Sequence, residues 1–245
     1  MQRLPFPALV ALLAMLPLAA RATPTADQIV KQYDAIMGPE TFAGVSTMTA
    51  HREDDSERTY KMRFLKSGAD KFRMWFLDPA AVRGQEILRH GDNTWVYLPN
   101  LKRAVRLASR DSFQGGDFNN ADVLRVNYES DYTATLAPDS EGVADSYLVL
   151  LKAKTPEAAY DRVKLWVRKN DFQPLKGEYY TLSGKMLRAA EFSDVRDFGH
   201  GLKRPAKIVM KNMLAVKRWS TMVTESMDIK AAAPMTRFVL HDLGR

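Results

Sequence analysis

The sequence predicts a mainly-β protein built on a single antiparallel sheet of about eleven strands. Polar and apolar residues alternate with a period of two along most of the chain after residue 44, as they do in half-buried strands. Short turn signals separate these segments, so successive strands are expected to pair as hairpins. No alternation of strands with long helices is visible, which argues against a parallel sheet. A length of 245 residues is compatible with one all-β domain, a sandwich or a barrel.

The N-terminal segment has the features of a secretory signal peptide. Arg3 supplies a positive charge, residues 8–20 form an apolar core, and Ala20-Arg21-Ala22 matches the small-x-small cleavage pattern. The core is too short to cross a bilayer as a helix. We therefore expect cleavage between Ala22 and Thr23 and one exported domain over residues 23–245. The alternative is that the segment forms a buried N-terminal helix.

An amphipathic helix is predicted directly after this segment. Thr25 and Gln28 form a capping-box pattern, and apolar residues then recur at helical spacing from Ile29 to Met37. Gly38 suits the position just past a helix end. The apolar stripe of this helix is therefore expected to cover part of the sheet.

The strands are predicted in chain order from Gly44. The first six lie at residues 44–52, 58–66, 71–77, 85–89, 95–98 and 103–108, with Asp78-Pro79 ending the third because proline cannot donate to a sheet. Residues 122–126 are predicted as a helical turn. Strands then resume at residues 128–136, 147–153, 163–168, 175–182, 186–192, 203–213 and 215–229, and residues 231–243 are expected to end in a short helix.

The connection over residues 109–122 is unusual for a chain of short hairpins. It is rich in Gly, Asp and Asn, and it carries two phenylalanines, Phe113 and Phe118. Loops of this length in compact domains are usually functional. We therefore expect this segment to lie over the sheet rather than to extend it.

The residues around this connection resemble a known family. The patterns W-x-Y-x-P, R-x-x-R and S-F-x-G-x-D-F are similar to those of the LolA-like outer-membrane lipoprotein-sorting family; the matching residues are Trp95, Tyr97, Pro99, Arg103, Arg106, Ser112, Phe113, Gly115, Asp117 and Phe118. The family usually has a serine where this chain has Gly116. The resemblance implies a strongly curved sheet that forms an unclosed barrel, with helices packed on its concave side.

One face of the early strands is rich in Phe and Met. Either these side chains form a solid core, or part of the face lines a cavity for acyl chains, to which the flexible methionine side chain is suited. The resemblance favours the cavity, and the candidate ligand-binding residues are Tyr60, Met62, Phe64, Phe72, Met74, Phe76, Trp95 and Tyr97.

The connection itself is a candidate lid over the cavity mouth. Phe113 and Phe118 would be costly to leave in water, and Gly115-Gly116 gives the backbone freedom that a hinge or tight turn needs. Asp117 is expected to accept a charge-assisted hydrogen bond from one of the arginines of the preceding strand. Alternatively, the loop is static and its phenylalanines cap the end of the barrel.

Arg103 and Arg106 lie within the strand that precedes this connection. Three roles are open to them: a solvated strand face, contact with an anionic head group, or the anchor for Asp117. The sequence does not choose among these roles.

Several function classes have no motif in this chain. It contains no cysteine, which excludes disulfides, thiol catalysis and thiolate metal sites. Its four histidines lack metal-ligand spacing, and no nucleophile elbow, P-loop or dinucleotide fingerprint is present. The net charge of +7 suits anionic lipid head groups or an acidic partner, but no basic module indicates nucleic acid. We expect no catalytic residue, no metal and no cofactor.

The resemblance implies a periplasmic carrier. It would bind a lipid or the acyl chains of a lipoprotein and pass it from an inner-membrane exporter to an outer-membrane acceptor, without stable insertion into either membrane. Two alternatives stay open. One is a lipid- or peptide-sensing regulatory module on the same fold, and the other is a periplasmic hydrolase with an acid–base pair such as Asp117 and His90.

Overall fold

The computed structural model describes residues 23–125 and 127–245. The predicted signal peptide lies outside these residues. The first element is helix α1 (Ala26–Met37), which begins and ends as its sequence predicts. The Thr25 side chain accepts a hydrogen bond from the backbone N–H of Gln28, and Gly38 follows the last turn.

Thirteen antiparallel strands form one sheet in the described residues. In chain order they are β1 (Thr41–His51), β2 (Glu57–Ser67), β3 (Lys71–Asp78), β4 (Glu86–His90), β5 (Asn93–Leu98), β6 (Arg103–Leu107), β7 (Tyr132–Leu136), β8 (Ser146–Ala153), β9 (Arg162–Arg168), β10 (Pro174–Tyr180), β11 (Met186–Asp197), β12 (Lys203–Asn212) and β13 (Trp219–Asp228). Two short helices, α2 (Asn120–Leu124) and α3 (Tyr128–Asp131), lie between β6 and β7, and 3-10 turns occur at Pro99–Leu101, Phe113–Gly115, Met235–Phe238 and Leu240–Asp242.

The strand order explains why the sheet is an open barrel. It runs β6-β5-β4-β3-β2-β1-β13-β12-β11-β10-β9-β8-β7, so every pairing joins consecutive strands except that of β1 with β13. Strands β6 and β7 are therefore the two edges, and the described residues show no pairing between them. The prediction of a mainly-β, unclosed antiparallel sheet is confirmed. The strand count is thirteen rather than about eleven, and each strand overlaps one of the thirteen segments predicted above.

Two segments that were predicted as strands have other structures. Residues 128–131 form α3, because Asp34 of α1 accepts hydrogen bonds from the backbone N–H groups of Tyr128 and Glu129 at 2.9 and 2.8 Å. The last strand begins at Trp219 rather than at residue 215. Here the Asn212 side chain accepts from the N–H groups of Leu214 and Ala215, and this local turn replaces the ladder.

The main core lies on the concave face of the sheet. Buried side chains from both halves of the sheet meet there with Ile29, Val30, Tyr33 and Met37 of α1 and with Phe113 and Phe118 of the β6–β7 connection. Because strands far apart in the sheet order share this core, the sheet must curve strongly around it. The apolar stripe of α1 and the Phe- and Met-rich face of the early strands therefore bury each other.

A second, smaller core lies on the convex face. The C-terminal turns place Phe238 and Leu243 against Leu65 and Leu88. Buried Arg73 holds this segment, since its guanidinium donates to Glu86 and to the carbonyls of Arg237 and Asp242, the last two at 2.8 Å. Both faces of β2 to β5 are therefore covered.

Candidate functional site

A cavity lies between the concave face, α1 and the β6–β7 connection. Its volume is about 120 Å³, similar to the roughly 150 Å³ engineered apolar cavity that holds benzene. Six methionines line it, namely Met37, Met62, Met74, Met210, Met222 and Met227. The aromatic part of the lining consists of Tyr33, Phe42, Phe64, Phe72, Phe118, Tyr128, Tyr132, Tyr179 and Phe192. This form has room for a small apolar group, and a whole acyl chain requires the cavity to widen.

The structure places the predicted cavity residues in three different locations. Four of them line the cavity: Met62, Phe64, Phe72 and Met74. Tyr60 and Phe76 are buried in the neighbouring core, where the Tyr60 hydroxyl donates to the carbonyl of Gln114 at 3.4 Å. Phe76 stacks on Phe113 with a centroid distance of 6.1 Å.

Trp95 and Tyr97 lie on the opposite face of the sheet, and their assignment to the cavity is wrong. On β5 it is Thr94 and Val96 that are buried, while Trp95 and Tyr97 pack against the convex core beneath the C-terminal segment. In addition, a Cβ on Gly244 would lie 2.3 Å from the ring of Tyr97, so the chain end is fitted against this aromatic side chain.

The β6–β7 connection crosses the concave side from one edge of the sheet to the other. Phe118 lines the cavity and is 4% exposed, whereas Phe113 is fully buried and does not reach the lining. The two phenylalanines are also tied by their backbones, since the N–H of Phe113 donates to the carbonyl of Phe118 at 2.8 Å. The segment from residue 109 to residue 122 therefore covers the cavity, and we call it the cover loop.

Asp117 fastens the cover loop to the centre of the sheet. Its carboxylate accepts hydrogen bonds from Asn212 of β12 at 2.9 Å and from Ser220 of β13 at 3.0 Å. The Arg218 Nε lies 3.7 Å from the same carboxylate, and Arg188 donates to the Asp117 carbonyl at 2.9 Å. With 1% exposure, this buried charge depends on these donors.

The anchor for Asp117 is therefore not Arg103 or Arg106, and that prediction is corrected. Both arginines are exposed on the edge strand β6. Strands β12 and β13 at the centre of the sheet supply the donors to its carboxylate, which the sequence spacing does not reveal. Contact of Arg103 or Arg106 with an anionic head group stays a prediction.

The two glycines of the cover loop differ in their roles. Gly115 has a positive φ of 73°, a conformation that L side chains rarely adopt. Gly116 lies so close to β13 that a Cβ would approach the Ser220 hydroxyl to 3.0 Å. Close packing of the loop on the sheet thus accounts for Gly116, the position where the family usually has serine.

The two arginines of the lining differ in how fully acidic partners compensate their charges. Arg125 donates to both carboxylate oxygens of Asp131, at 2.6 and 2.9 Å, and to Asp92 at 2.6 Å. These carboxylates raise the pKa of Arg125 above its ordinary value. Arg204 lines the same cavity, and burial lowers its pKa to about 10. It forms no ion pair with any acidic residue of the described segments.

Asp122 lines the cavity as the N3 residue of α2. It accepts a hydrogen bond from the N–H of Asn119 and one from the Tyr160 hydroxyl, both at 2.8 Å. Burial nevertheless raises the pKa of Asp122 to about 6. The predicted acid–base partner of Asp117 is also absent from this region: His90 is exposed at the end of β4, and no hydrogen bond joins it to the buried Asp117 in the described residues.

Many lining residues are not among those predicted from the sequence, above all Arg204, Met210, Met222 and Met227. The signal for Arg204 is present, because Arg204, Ala206, Ile208 and Met210 alternate along β12 on the concave face. Because alternate residues of a strand face the same side of the sheet, an arginine that alternates with three apolar residues is expected to be buried with them. The same alternation places Met222 beside Ser220 and Thr224 on β13.

Residues 23–125 and 127–245 contain no group of three or more His, Asp or Glu side chains arranged to hold a metal ion. Within the same ranges, no helix has both the length and the apolar character that a membrane crossing requires.

Comparison with known structures identifies the fold. The structure is similar to that of a LolA superfamily protein from Nitrosomonas europaea, with a TM-score of 0.81 and 27% identity over 89% of this chain and 98% of that chain. It is also similar to a Vibrio parahaemolyticus domain described as an outer membrane lipoprotein-sorting protein, with a TM-score of 0.76, 20% identity and coverages of 90% and 98%. A DUF1329 family protein from Desulfovibrio piger has a TM-score of 0.79, 19% identity and coverages of 89% and 97%.

Sequence comparison gives a family as well. A family model described as "Uncharacterized protein" matches residues 68–245, and no curated protein matches the chain. The chain thus belongs to this family. Its fold is that of the LolA superfamily protein, in agreement with the resemblance of the motif between Trp95 and Phe118.

Proposed function

We propose that this protein is a periplasmic carrier that binds a lipid, or the acyl chains of a lipoprotein, in the cavity under its cover loop. It takes this cargo from an inner-membrane exporter and delivers it to an outer-membrane acceptor. Binding and release need no covalent chemistry, because the affinity for cargo changes when the loop opens at a partner.

The observation that carries this proposal is the methionine- and aromatic-rich cavity at the centre of an open sheet. Six unbranched, polarizable methionine side chains form an adaptable lining that suits acyl chains of different lengths. The cavity is closed by a loop of the chain rather than by the sheet, so the loop can move without breaking a strand ladder. Similarity to a LolA superfamily protein supports the same function.

Native mass spectrometry of the protein purified from its own periplasm tests the proposal. We expect a population whose added mass corresponds to a lipid or an acylated peptide, and we expect this mass to be lost in a lipid-exchange assay with acceptor vesicles. Protein that carries no such mass, and that binds no fluorescent fatty acid after delipidation, would contradict a carrier function.

Export is proposed as part of the same function. Arg3, the apolar residues 8–20 and Ala22 support cleavage before Thr23. N-terminal sequencing of the periplasmic fraction should therefore give Thr23 as the first residue. A protein retained in the membrane with its first residues intact would overturn this part of the proposal.

A further inference from the structure

Arg204 is a buried cation in a mostly apolar lining that also contains Asp122, Arg125 and Asp131. It is 6% exposed, and it shares the concave face of β12 with Ala206, Ile208 and Met210. Its Nη1 donates to the carbonyl of Met37 at 2.6 Å, and its Nε donates to the carbonyl of Pro205 at 3.3 Å. Its Nη2 makes no hydrogen bond to the described residues.

The charge of Arg204 is only partly compensated. Met37 ends α1, and the carboxyl end of a helix carries about half a negative elementary charge. No carboxylate of the described residues supplies the remainder, whereas Arg125 in the same lining has Asp131 and Asp92. Burial lowers the pKa of Arg204 to about 10, so the guanidinium stays charged at neutral pH.

Burying such a charge without a full partner is unfavourable. A guanidinium has five N–H donors in a planar fork, and those of Nη2 are left for another acceptor. Tyr33 lies beside it in the lining, and burial raises the pKa of its hydroxyl above the ordinary value. Tyr33 is therefore a neutral hydrogen-bond donor, and together these groups suit an anionic oxygen.

We propose that Arg204 is the counter-ion for the head group of an anionic single-chain amphiphile, a carboxylate or a phosphate monoester, whose chain fills the cavity. This inference rests on the proposed function, because it requires the cavity to take an acyl chain. It narrows the cargo: a free fatty acid or a phosphate-bearing lipid has such a head, whereas an acyl chain linked to protein through an ester or amide has none.

Isothermal titration calorimetry with three amphiphiles of equal chain length tests this site. Lauric acid and dodecyl phosphate carry the two anionic heads, and dodecanol carries none. The wild-type protein should bind at least one anionic amphiphile about tenfold or more tightly than dodecanol, which corresponds to about 1.4 kcal/mol. Comparison of the two anions tells a carboxylate site from a phosphate site.

Arg204→Gln should remove this preference while binding of dodecanol is retained, and Arg204→Lys should retain part of the preference. Lys66→Gln is the matched control. Lys66 donates to the carbonyls of Gly38 and Pro39, at 3.1 and 2.7 Å, and so holds the same helix end without lining the cavity. This variant should keep the full preference for the anion.

The outcomes separate the two proposals. If no amphiphile binds to the wild type, the carrier function fails. If all three bind with equal affinity, the cavity stands and the anion site is overturned. A loss of preference in Lys66→Gln that equals the loss in Arg204→Gln shows that Arg204 acts only through α1. If Arg204→Gln does not fold, the wild type and Arg204→Lys still decide, because an anion site requires a preference for the anionic amphiphile in the wild type that Arg204→Lys retains only in part.

Discussion

Two positions on one strand fall in different environments, one in the cavity lining and one in the solid core. Met74 and Phe76 both lie on the concave face of β3 and are each 2% exposed, but only Met74 belongs to the cavity lining. A carboxylate at residue 74 can be hydrated through the cavity, whereas at residue 76 it would be buried against the ring of Phe113.

We therefore expect Met74→Glu to abolish binding of a fluorescent fatty acid with little loss of structure, and Phe76→Glu to unfold the protein. Circular dichroism and fluorescence titration of both variants make the measurement. Met74→Leu, which keeps size and polarity, is the control and should bind normally. Equal unfolding of both glutamate variants would show that residue 74 is solid core.

Asp122 gives the molecule a pH-dependent stability. Burial raises the pKa of Asp122 and of Asp34 to about 6 from the ordinary value of 3.8. The folded state therefore binds these protons more tightly than the unfolded state does. The stabilisation that comes from protonation of these two carboxyl groups is complete below pH about 4 and is lost as the pH rises through about 6.

Asp122→Asn should flatten the dependence of stability on pH between about 4 and 7, leaving the part that belongs to Asp34. Urea denaturation at a series of pH values measures this. Asp161→Asn is a control of opposite sign, because the ion pair with Arg110 lowers the pKa of Asp161. A pH profile of Asp122→Asn that matches the wild type would refute the effect.

At the scale of the elements, the cover loop contains one residue suited to a lid and one suited to a plug. Phe118 lines the cavity, whereas fully buried Phe113 stacks on Phe76 in the core. Phe113→Ala should cost about 3–5 kcal/mol of stability and leave the rates of lipid exchange nearly unchanged. Phe118→Ala should cost less stability and change these rates.

Stopped-flow lipid exchange and chemical denaturation on the same two variants make this comparison. Each variant serves as the control for the other, because both remove one phenyl ring from the same loop. If Phe118→Ala loses as much stability as Phe113→Ala and exchanges lipid at the wild-type rate, the loop is a static plug.

The strands could be predicted from the sequence better than the face that each residue occupies. The capping box of α1 and the concave positions Met62 and Met74 are local features, and the structure agrees with them. Trp95 and Tyr97 were placed on the wrong face because both faces of β5 are covered. The covering segment lies near residue 240, so hydrophobicity along β5 alone does not show which face is concave.

The anchor of the cover loop could not be found from spacing for a similar reason. Asn212 and Ser220 reach Asp117 only because β1 pairs with β13, which places the first and last strands of the chain side by side. This pairing is between residues far apart in the chain, and no local pattern specifies it. Arg103 and Arg106 are nearer in sequence but lie on the edge strand β6.

For the whole molecule, the chain path would make the opening that we propose for the carrier a movement of one segment. The β6–β7 connection, which includes the cover loop, joins the two edge strands across the concave side, so the sheet can stay intact while the loop moves away from β13. The chain has no cysteine, which allows a single engineered disulfide to test this movement without competing thiols.

Gly116→Cys combined with Ser220→Cys should lock the cover loop. A Cβ at residue 116 would lie 3.0 Å from the Ser220 oxygen, which is one bond from the Ser220 Cβ. The two Cβ atoms are therefore at most about 4.5 Å apart, which is within reach of a disulfide. The oxidised protein should exchange lipid about an order of magnitude more slowly than the same protein after reduction, because cargo enters and leaves only when the loop opens. The two single variants control for loss of the Ser220 hydrogen bond to Asp117. Equal exchange rates before and after reduction, with the disulfide verified by mass, would mean that cargo enters by a path that does not involve this loop.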